Sequence, residues 1–214
     1  FSRPFDFATA NPAVTKNYTY RTDGTLQSVT DAVSNFVEVG YTHDNNGQVT
    51  QRTVGGVSTT YGWDVDGRLV TANSSRPGLP TLAATYQYDG LGMRRRAQVA
   101  ITPTNGPPVS TIRDWTWGGA DGEDEVEEDG NVTTFVAGYR VGDGINVFSH
   151  DGIGSVVAQD DGANTNEAQF STWGTRTALG TNFGPLASSA GFTGHRVEDA
   201  LGLSYAKRRW LDSS

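Results

Sequence analysis

The chain has 214 residues, no cysteine and a formal net charge of −8 at pH 7. The lack of cysteine excludes disulfide frameworks, thiolate zinc sites and cysteine nucleophiles, and no apolar run approaches the roughly 18 residues of a membrane-spanning helix. The acidic balance argues against nucleic acid as a partner, because binding to backbone phosphates needs a basic face. The chain begins Phe-Ser-Arg-Pro without methionine, so we expect a processed product or an excised piece of a longer polypeptide.

The composition predicts an all-β fold built from short strands. Glycine contributes 27 residues, which is nearly twice its average share of about 7%. Thr, Val, Tyr and Trp are plentiful, and such β-branched and aromatic residues suit a pleated, half-buried surface. Clusters of Gly, Asn and Asp supply the corners between strands.

A short motif recurs along the chain. It has an aromatic or His residue at positions 0 and +2, usually Asp at +3, Gly at +6 and an apolar residue at +8. Arg94 interrupts the apolar position of the fourth copy. The five copies comprise Tyr18, Tyr20, Gly24 and Leu26; Tyr41, His43, Asp44, Gly47 and Val49; Tyr61, Trp63, Asp64, Gly67 and Leu69; Tyr86, Tyr88, Asp89 and Gly92; and Phe148, His150, Asp151, Gly154 and Val156.

Each copy of this motif predicts a β-hairpin of about 20 residues. Because side chains alternate along a strand, the residues at 0 and +2 point to one face. The Asp can hydrogen-bond its own backbone in the turn, and the Gly takes the left-handed corner. One hairpin cannot bury its aromatic face alone, so we expect successive hairpins to add edge to edge into a long, strongly curved antiparallel sheet.

These residues resemble a known family, the YD-repeat proteins, which include rearrangement-hotspot (Rhs) proteins, the C component of insecticidal toxin complexes and teneurins. The stretch 148–157 resembles the family's late repeat, and 170–176 is similar to the turn that follows it. The segment 191–214 resembles the Rhs core-associated segment, although Leu211 and Ser213 depart from its pattern. Its matching positions are Phe192, Gly194, Gly202, Leu203, Tyr205, Arg209 and Asp212.

The resemblance implies four regions and a spiralling sheet that forms part of a hollow β-shell. YD repeats occupy 1–102, with hairpins beginning at 18, 41, 61 and 86, and a late YD-type repeat with its turn occupies 148–190. A truncated core-associated segment occupies 191–214. Between the repeats, 103–147 is a degenerate copy with an acidic loop, in which Trp115 and Trp117 hold the aromatic places but no Gly follows at +6.

Metal and cofactor sites are not predicted. The pairs His43–Asp44 and His150–Asp151 fill slots of the repeat, so we expect them to be structural. The acidic run 121–129 has Val126 where a calcium loop of the EF-hand type requires Gly. Carboxylates near the turns at 64–67 and 160–162 leave weak calcium binding open.

The densest basic run is Arg94, Arg95 and Arg96. Because side chains alternate along a strand, we expect the outer two to point outward and the central one to pair inward with a carboxylate. Three arginines in so acidic a chain fall short of a nucleic-acid footprint.

Enzymatic activity is not predicted. The chain has no Gly-x-Ser-x-Gly elbow, phosphate loop or zinc-protease helix. Family relatives carry an aspartyl self-cleavage activity, but its aspartates lie in a tract beyond the end of this sequence, and Asp212 matches a different position. No catalytic residue is therefore carried over.

Two functional hypotheses follow. The resemblance implies a non-enzymatic module of a secreted bacterial protein, which builds a β-shell around a C-terminal cargo or toxin domain. The alternative is a self-assembling filament or an adhesive module that binds surface glycans, in the extracellular space or at the cell surface. In both cases the sheet edges need cover, either from the remainder of a longer parent chain or from identical subunits. Neither a nucleic acid nor a membrane span is expected.

Overall fold

A computed structural model describes residues 15–75, 78–118, 124–136, 139–170, 176–179, 191, 193, 195–198, 201, 203–206 and 210–212. The elements in these ranges are β-strands arranged in antiparallel sheets, so the all-β prediction is confirmed. Within the same ranges, no helix has the length and apolar character needed to cross a membrane.

The first sheet has 11 strands, and their order in space is their order along the chain. This order is what a series of antiparallel hairpins produces. Its strands are β1 (Lys16–Tyr20), β2 (Leu26–Asp31), β3 (Val37–His43), β4 (Val49–Val54), β5 (Val57–Trp63), β6 (Leu69–Ser75), β7 (Thr81–Tyr88), β8 (Arg94–Thr102), β9 (Val109–Gly118), β10 (Asp124–Glu128) and β11 (Asn131–Val132).

A second sheet has six strands and a third has three, each again in consecutive order. The second sheet holds β12 (Thr134–Val136), β13 (Tyr139–Gly142), β14 (Val147–His150), β15 (Val156–Asp160), β16 (Thr165–Phe170) and β17 (Arg176–Leu179). The third sheet holds β18 (Arg196–Glu198), β19 (Leu203–Tyr205) and β20 (Trp210–Asp212). We call the described residues between 191 and 212 the strap.

All five repeat copies contain the same β-bulge. The residue at +2 pairs with the residue at +8, whereas the residue at +1 pairs with the residue at +10. The residue at +9 is therefore an extra residue in the return strand, and such a bulge re-aims the side chains beside it. Directly paired residues share a face of the sheet, so the residue at +8 lies on the same face as the ring at +2.

The first sheet has two chemically unlike faces. The aromatic face carries the side chains at 0, +2 and +8 of each repeat, with small residues such as Ala72 and Ala84 between them. The opposite, polar face is rich in uncharged hydroxyl and amide groups. Its paired positions on β1–β7 include Thr19, Ser28, Thr42, Gln51, Thr53, Thr60, Thr71, Asn73 and Thr85.

The main hydrophobic core lies between the aromatic face and the strap. Burial of a large apolar side chain contributes about 1.5–3 kcal/mol, so the strap completes a core that the sheet alone leaves open. The core residues are Leu69, Ala72, Leu82, Ala84, Tyr86, Ala97 and Trp115 from the sheet, with Leu201 and Leu203 from the strap. A smaller hydrophobic cluster in the second sheet consists of Phe148 and Val156.

Candidate functional site

The turn of each repeat hairpin is closed by the same two backbone hydrogen bonds. In the third copy, Asp64 N–H donates to the Arg68 carbonyl over 3.0 Å, and Gly67 N–H donates to the Asp64 carbonyl over 3.1 Å. The φ angle of Gly67 is +77°, a left-handed conformation that costs other residues roughly 1–2 kcal/mol. The glycines with this conformation at +6 are Gly24, Gly47, Gly67, Gly92 and Gly154.

The aspartate at +3 holds the same turn through its side chain. Asp64 Oδ1 accepts hydrogen bonds from the N–H groups of Asp66, over 3.0 Å, and Arg68, over 2.9 Å. Burial acts to raise the pKa of Asp64, but the hydrogen bonds from Arg68 outweigh it and hold the pKa below its ordinary value. The aspartates that accept the equivalent pair of bonds are Asp44, Asp64, Asp89 and Asp151.

The first copy differs from the others. It has Arg21 at +3, and Asp23 accepts the turn hydrogen bond from Thr25 N–H instead, over 2.9 Å. The rings of Tyr18 and Tyr20 are 57% and 60% exposed. In the fourth copy, by contrast, Tyr86 at position 0 is 3% exposed. Cover over the aromatic face is therefore uneven along the described part of the sheet.

In three hairpins, the ring at +2 connects the hairpin to the one before it. Its N–H or O–H group donates to the backbone carbonyl of the +8 residue in the preceding copy. Phenylalanine has no such donor, and a bond of this kind contributes about 0.5–1.5 kcal/mol. The three bonds run from Trp63 Nε1 to Val49 O over 2.8 Å, from Tyr88 Oη to Leu69 O over 2.6 Å, and from Trp117 Nε1 to Arg94 O over 2.7 Å.

The third of these bonds shows that the degenerate region contains a hairpin of the repeat type. Trp117 pairs with Glu125 and Thr116 pairs with Glu127, so Val126 is the bulge residue. The chain between Trp117 and its partner is two residues longer than in the other copies. The Trp115–Trp117 spacing was the sequence signal for this hairpin.

The strap docks onto the aromatic face through polar bonds as well as apolar packing. Arg52, buried in β4, donates to the Leu201 carbonyl over 3.1 Å. Trp210 Nε1 donates to Tyr88 Oη over 3.1 Å. We call the three ring-to-carbonyl hydrogen bonds the ladder of +2 rings. Tyr88 connects this ladder to the strap, because its hydroxyl accepts from Trp210 and donates to the Leu69 carbonyl.

Arg94 lies at the centre of this docking surface. Its guanidinium carbon is 4.1 Å from the ring centroid of Trp115, 4.7 Å from that of Tyr205, 5.1 Å from that of Trp210 and 5.8 Å from that of Tyr86. Its backbone N–H donates to Tyr205 Oη over 2.9 Å. Arg94 is fully buried.

The expectation for the basic run was wrong. The inward arginine is Arg94 and not Arg95, because the bulge places position +8 on the aromatic face. Arg95 and Arg96 are exposed, and Arg96 pairs with Asp114 over 2.6 Å. The sequence did show that Arg94 interrupts the apolar pattern at +8. Strict alternation of side chains along a strand without a bulge could not predict that this position faces inward.

The start of the strap contacts the fifth copy in the second sheet. Val156 N–H donates to the Gly191 carbonyl over 3.1 Å, and Thr193 N–H donates to the buried Ser155 Oγ over 3.1 Å. In this copy, burial lowers the pKa of His150, which the charge of Asp151 partly opposes. The strap therefore bonds to both larger sheets.

The core-associated motif is described in part. Leu203 and Tyr205 are buried on β19, and Asp212 is the last residue of β20. The other four motif residues lie outside the described residues: Phe192, Gly194, Gly202 and Arg209.

The described part of the first sheet has depressions on both of its faces. A cavity of about 110 Å³ lies between the aromatic face and the strap, where Tyr61 and Trp63 meet Leu203 and Trp210. A shallow trough of about 530 Å³ lies at β1–β4. Neutral groups dominate the trough, including Thr19, Ser28, Gly40, Thr42 and Gln51. The ring of Tyr41 lies on the opposite, aromatic face, because this residue pairs with Arg52.

The candidate calcium ligands are engaged with other groups. Asp64 and Asp66 both pair with Arg68, over 2.7 and 2.9 Å, and Asp160 and Asp161 accept backbone N–H groups of the loop that follows them. Across the described ranges, His, Asp and Glu side chains form no group of three that could hold a metal ion.

Comparison with known proteins gives distant structural likenesses. No protein-family model and no curated protein matches the chain. The crystal structure of TcdB2-TccC3-TEV is 14% identical over 75% of this chain, with a TM-score of 0.43. That of TcdB2-TccC3 without its hypervariable C-terminal region is 15% identical over 77% of this chain, with a TM-score of 0.42.

The pore of the Photorhabdus luminescens Tc holotoxin, with a substitution in TccC3, is 14% identical over 76% of this chain, with a TM-score of 0.24. The chain spans about a tenth of the length of the chains in the two crystal structures, and 13% of the chain in the pore structure. Likeness at this level of identity and superposition does not establish a family or a function.

Proposed function

We propose that this chain is a non-enzymatic structural module of a secreted bacterial YD-repeat protein, and that it forms part of the wall around a C-terminal cargo or toxin domain. The observation that carries the proposal is the continuous aromatic face with the strap bonded across it. A sheet built from such hairpins has one face that must be covered, because exposed apolar surface of this extent marks an interaction site. The polar face meets solvent.

The position of the strap supports the proposal that the wall is closed at its C-terminal end. It follows the last repeat in sequence, and its bonds reach Arg52 in the first sheet and Ser155 in the second. A segment that contacts both sheets from their covered side is suited to closing the wall at its C-terminal end. The remainder of the parent chain supplies the strands that flank β1 and the segment that continues beyond β20.

The test uses the full-length secreted polypeptide that contains this chain. Limited proteolysis should leave the domain after the strap intact, whereas a variant with Gly67→Val and Gly92→Val should lose that protection because β-branched residues resist the left-handed corner. The matched control is Gly90→Val, since Gly90 has an ordinary φ and open space around it. Equal digestion of the domain in all forms would contradict encapsulation.

The polar trough favours a second candidate, adhesion to neutral glycans. A row of hydroxyl and amide groups can hydrogen-bond an uncharged sugar. Titration of this chain with neutral oligosaccharides would show binding that Thr42→Ala and Gln51→Ala weaken, with Gln98→Ala on the same face as the control. Retained cargo protection without saccharide binding would favour the first candidate.

A further inference from the structure

The +8 position of the repeat has a chemical requirement that one copy violates. This position faces the aromatic side of the sheet, and in the third and fifth copies it holds Leu69 and Val156, each 1% exposed. The fourth copy places Arg94 there, with no exposed surface. Burial of a charged side chain is costly unless its surroundings compensate, so the surroundings of Arg94 differ in kind from those of Leu69.

Aromatic rings from both the sheet and the strap contribute to this compensation. Trp115 and Tyr86 belong to the sheet, and Tyr205 and Trp210 belong to the strap; all four ring centroids lie within 5.8 Å of the guanidinium carbon. The negative faces of aromatic rings attract a cation, and the attraction grows when water is excluded. A sheet without its strap would leave Arg94 with two of these four rings.

The backbone of Arg94 adds direction to this contact. Its N–H donates to Tyr205 Oη, and its carbonyl accepts from Trp117 Nε1. The strap rings also contact one another, with 5.3 Å between the centroids of Tyr205 and Trp210. The strap thus presents a preformed ring pair to one residue of the sheet, which sets both its position and its register on the aromatic face.

We infer that Arg94 is the specificity-determining anchor of the strap, and that the aromatic face recognises a strand segment by its paired Tyr and Trp rings. The partner of this surface is the segment of the same chain that carries Tyr205 and Trp210. This inference deepens the proposed function, on which it rests for the meaning of the strap as a closure. An apolar residue at +8 would pack against the sheet alone. A cation at +8 is also attracted to the two aromatic rings of the strap.

The decisive variant is Arg94→Leu, which restores the residue type found at +8 in the first and third copies. Hydrogen exchange of the whole chain should become at least tenfold faster at the β19 amides, while the amides of β2, which lies away from the strap contacts at Arg52 and Tyr88, keep wild-type rates. Arg94→Lys should be intermediate, because the charge remains and the planar guanidinium is lost. Arg95→Leu, at the exposed neighbour, is the matched control and should leave all rates unchanged.

Two results would overturn the inference. Wild-type exchange of β19 in Arg94→Leu would show that the strap does not need the cation, and equal acceleration in β2 would assign Arg94 a general role in the sheet. If Arg94→Leu does not fold, Trp210→Leu carries the test and should release β19 in the same selective way. Exchange requires no cargo, so failure here and failure of encapsulation are distinguishable.

Discussion

The buried guanidinium of Arg140 on β13 donates to the carboxylate of Glu128 on β10 over 2.7 Å, and this ion pair joins the first sheet to the second. Both side chains are about 95% or more buried, and Arg113 on β9 reaches the same carboxylate over 3.2 Å. The two sheets are therefore linked both by this buried charge pair and by the strap.

Removal of this carboxylate charge should be strongly destabilising. Glu128→Gln keeps the shape but leaves Arg140 buried without its closest counter-charge, a change that typically costs about 3–5 kcal/mol. The free energy of unfolding, measured in urea, should fall by an amount in that range. Glu127→Gln, on the adjacent and more exposed residue, is the control and should change it by less than about 0.5 kcal/mol. Equal effects of the two variants would refute the buried link.

Gly62 should tolerate a side chain only if its neighbour yields. A Cβ at Gly62 would lie 2.4 Å from Thr71 Oγ1, directly across the strand pair. Gly62→Ala should therefore destabilise the chain by about 1–3 kcal/mol through overpacking. Because the clash is with the hydroxyl oxygen, the double variant Gly62→Ala with Thr71→Ala should recover most of the loss. Strict additivity in this thermodynamic cycle would be the contrary outcome.

The stabilisation from each hydrogen bond in the ladder of +2 rings should be measurable with a single substitution. Tyr88→Phe keeps the ring but removes the hydroxyl that donates to Leu69 and accepts from Trp210. The expected loss is about 1–3 kcal/mol, since buried partners are left unsatisfied. Tyr20→Phe removes a hydroxyl from an exposed ring and should be near neutral. If chemical denaturation gives both variants the same midpoint, the ladder does not stabilise the sheet.

Tyr88 should also impose an alkaline limit on stability. Burial raises its pKa from 10.0 to about 12, although the hydrogen bond from Trp210 opposes the shift. The folded state therefore holds this proton more tightly than the unfolded state, so the stabilisation is fully present below pH 10 and is lost as the pH rises toward 12. As the pH rises above 10, the unfolding midpoint should fall more steeply for the wild-type chain than for Tyr88→Phe. Parallel slopes would contradict this assignment.

Much of the hairpin was predictable from its sequence, because turn chemistry is local. The Asp at +3 and the Gly at +6 act within six residues of each other, and a single sequence displays both. The bulge was not predictable, since it depends on pairing across the strand. Because of the bulge, Arg94 points inward and Arg95 outward, which is the opposite of what simple alternation along the strand predicted.

The docking of the strap was unpredictable for a related reason. Trp210 and Tyr88 are 122 residues apart in sequence yet hydrogen-bonded in space, and no local pattern specifies such a partner. The resemblance of the last segment to a family motif identified Tyr205, but it identified neither Arg94 nor the ring that reaches Tyr88. Only the interrupted apolar position hinted at the contact.

The ladder of ring donors has a direction, and that direction bears on how the chain is made. Each donor at +2 reaches backward to a carbonyl that was synthesised earlier. During translation, a hairpin leaving the ribosome thus finds its acceptor already folded, and growth can proceed from the amino end without waiting. The strap follows the repeats in sequence, so it leaves the ribosome after the surfaces that it contacts in the two larger sheets.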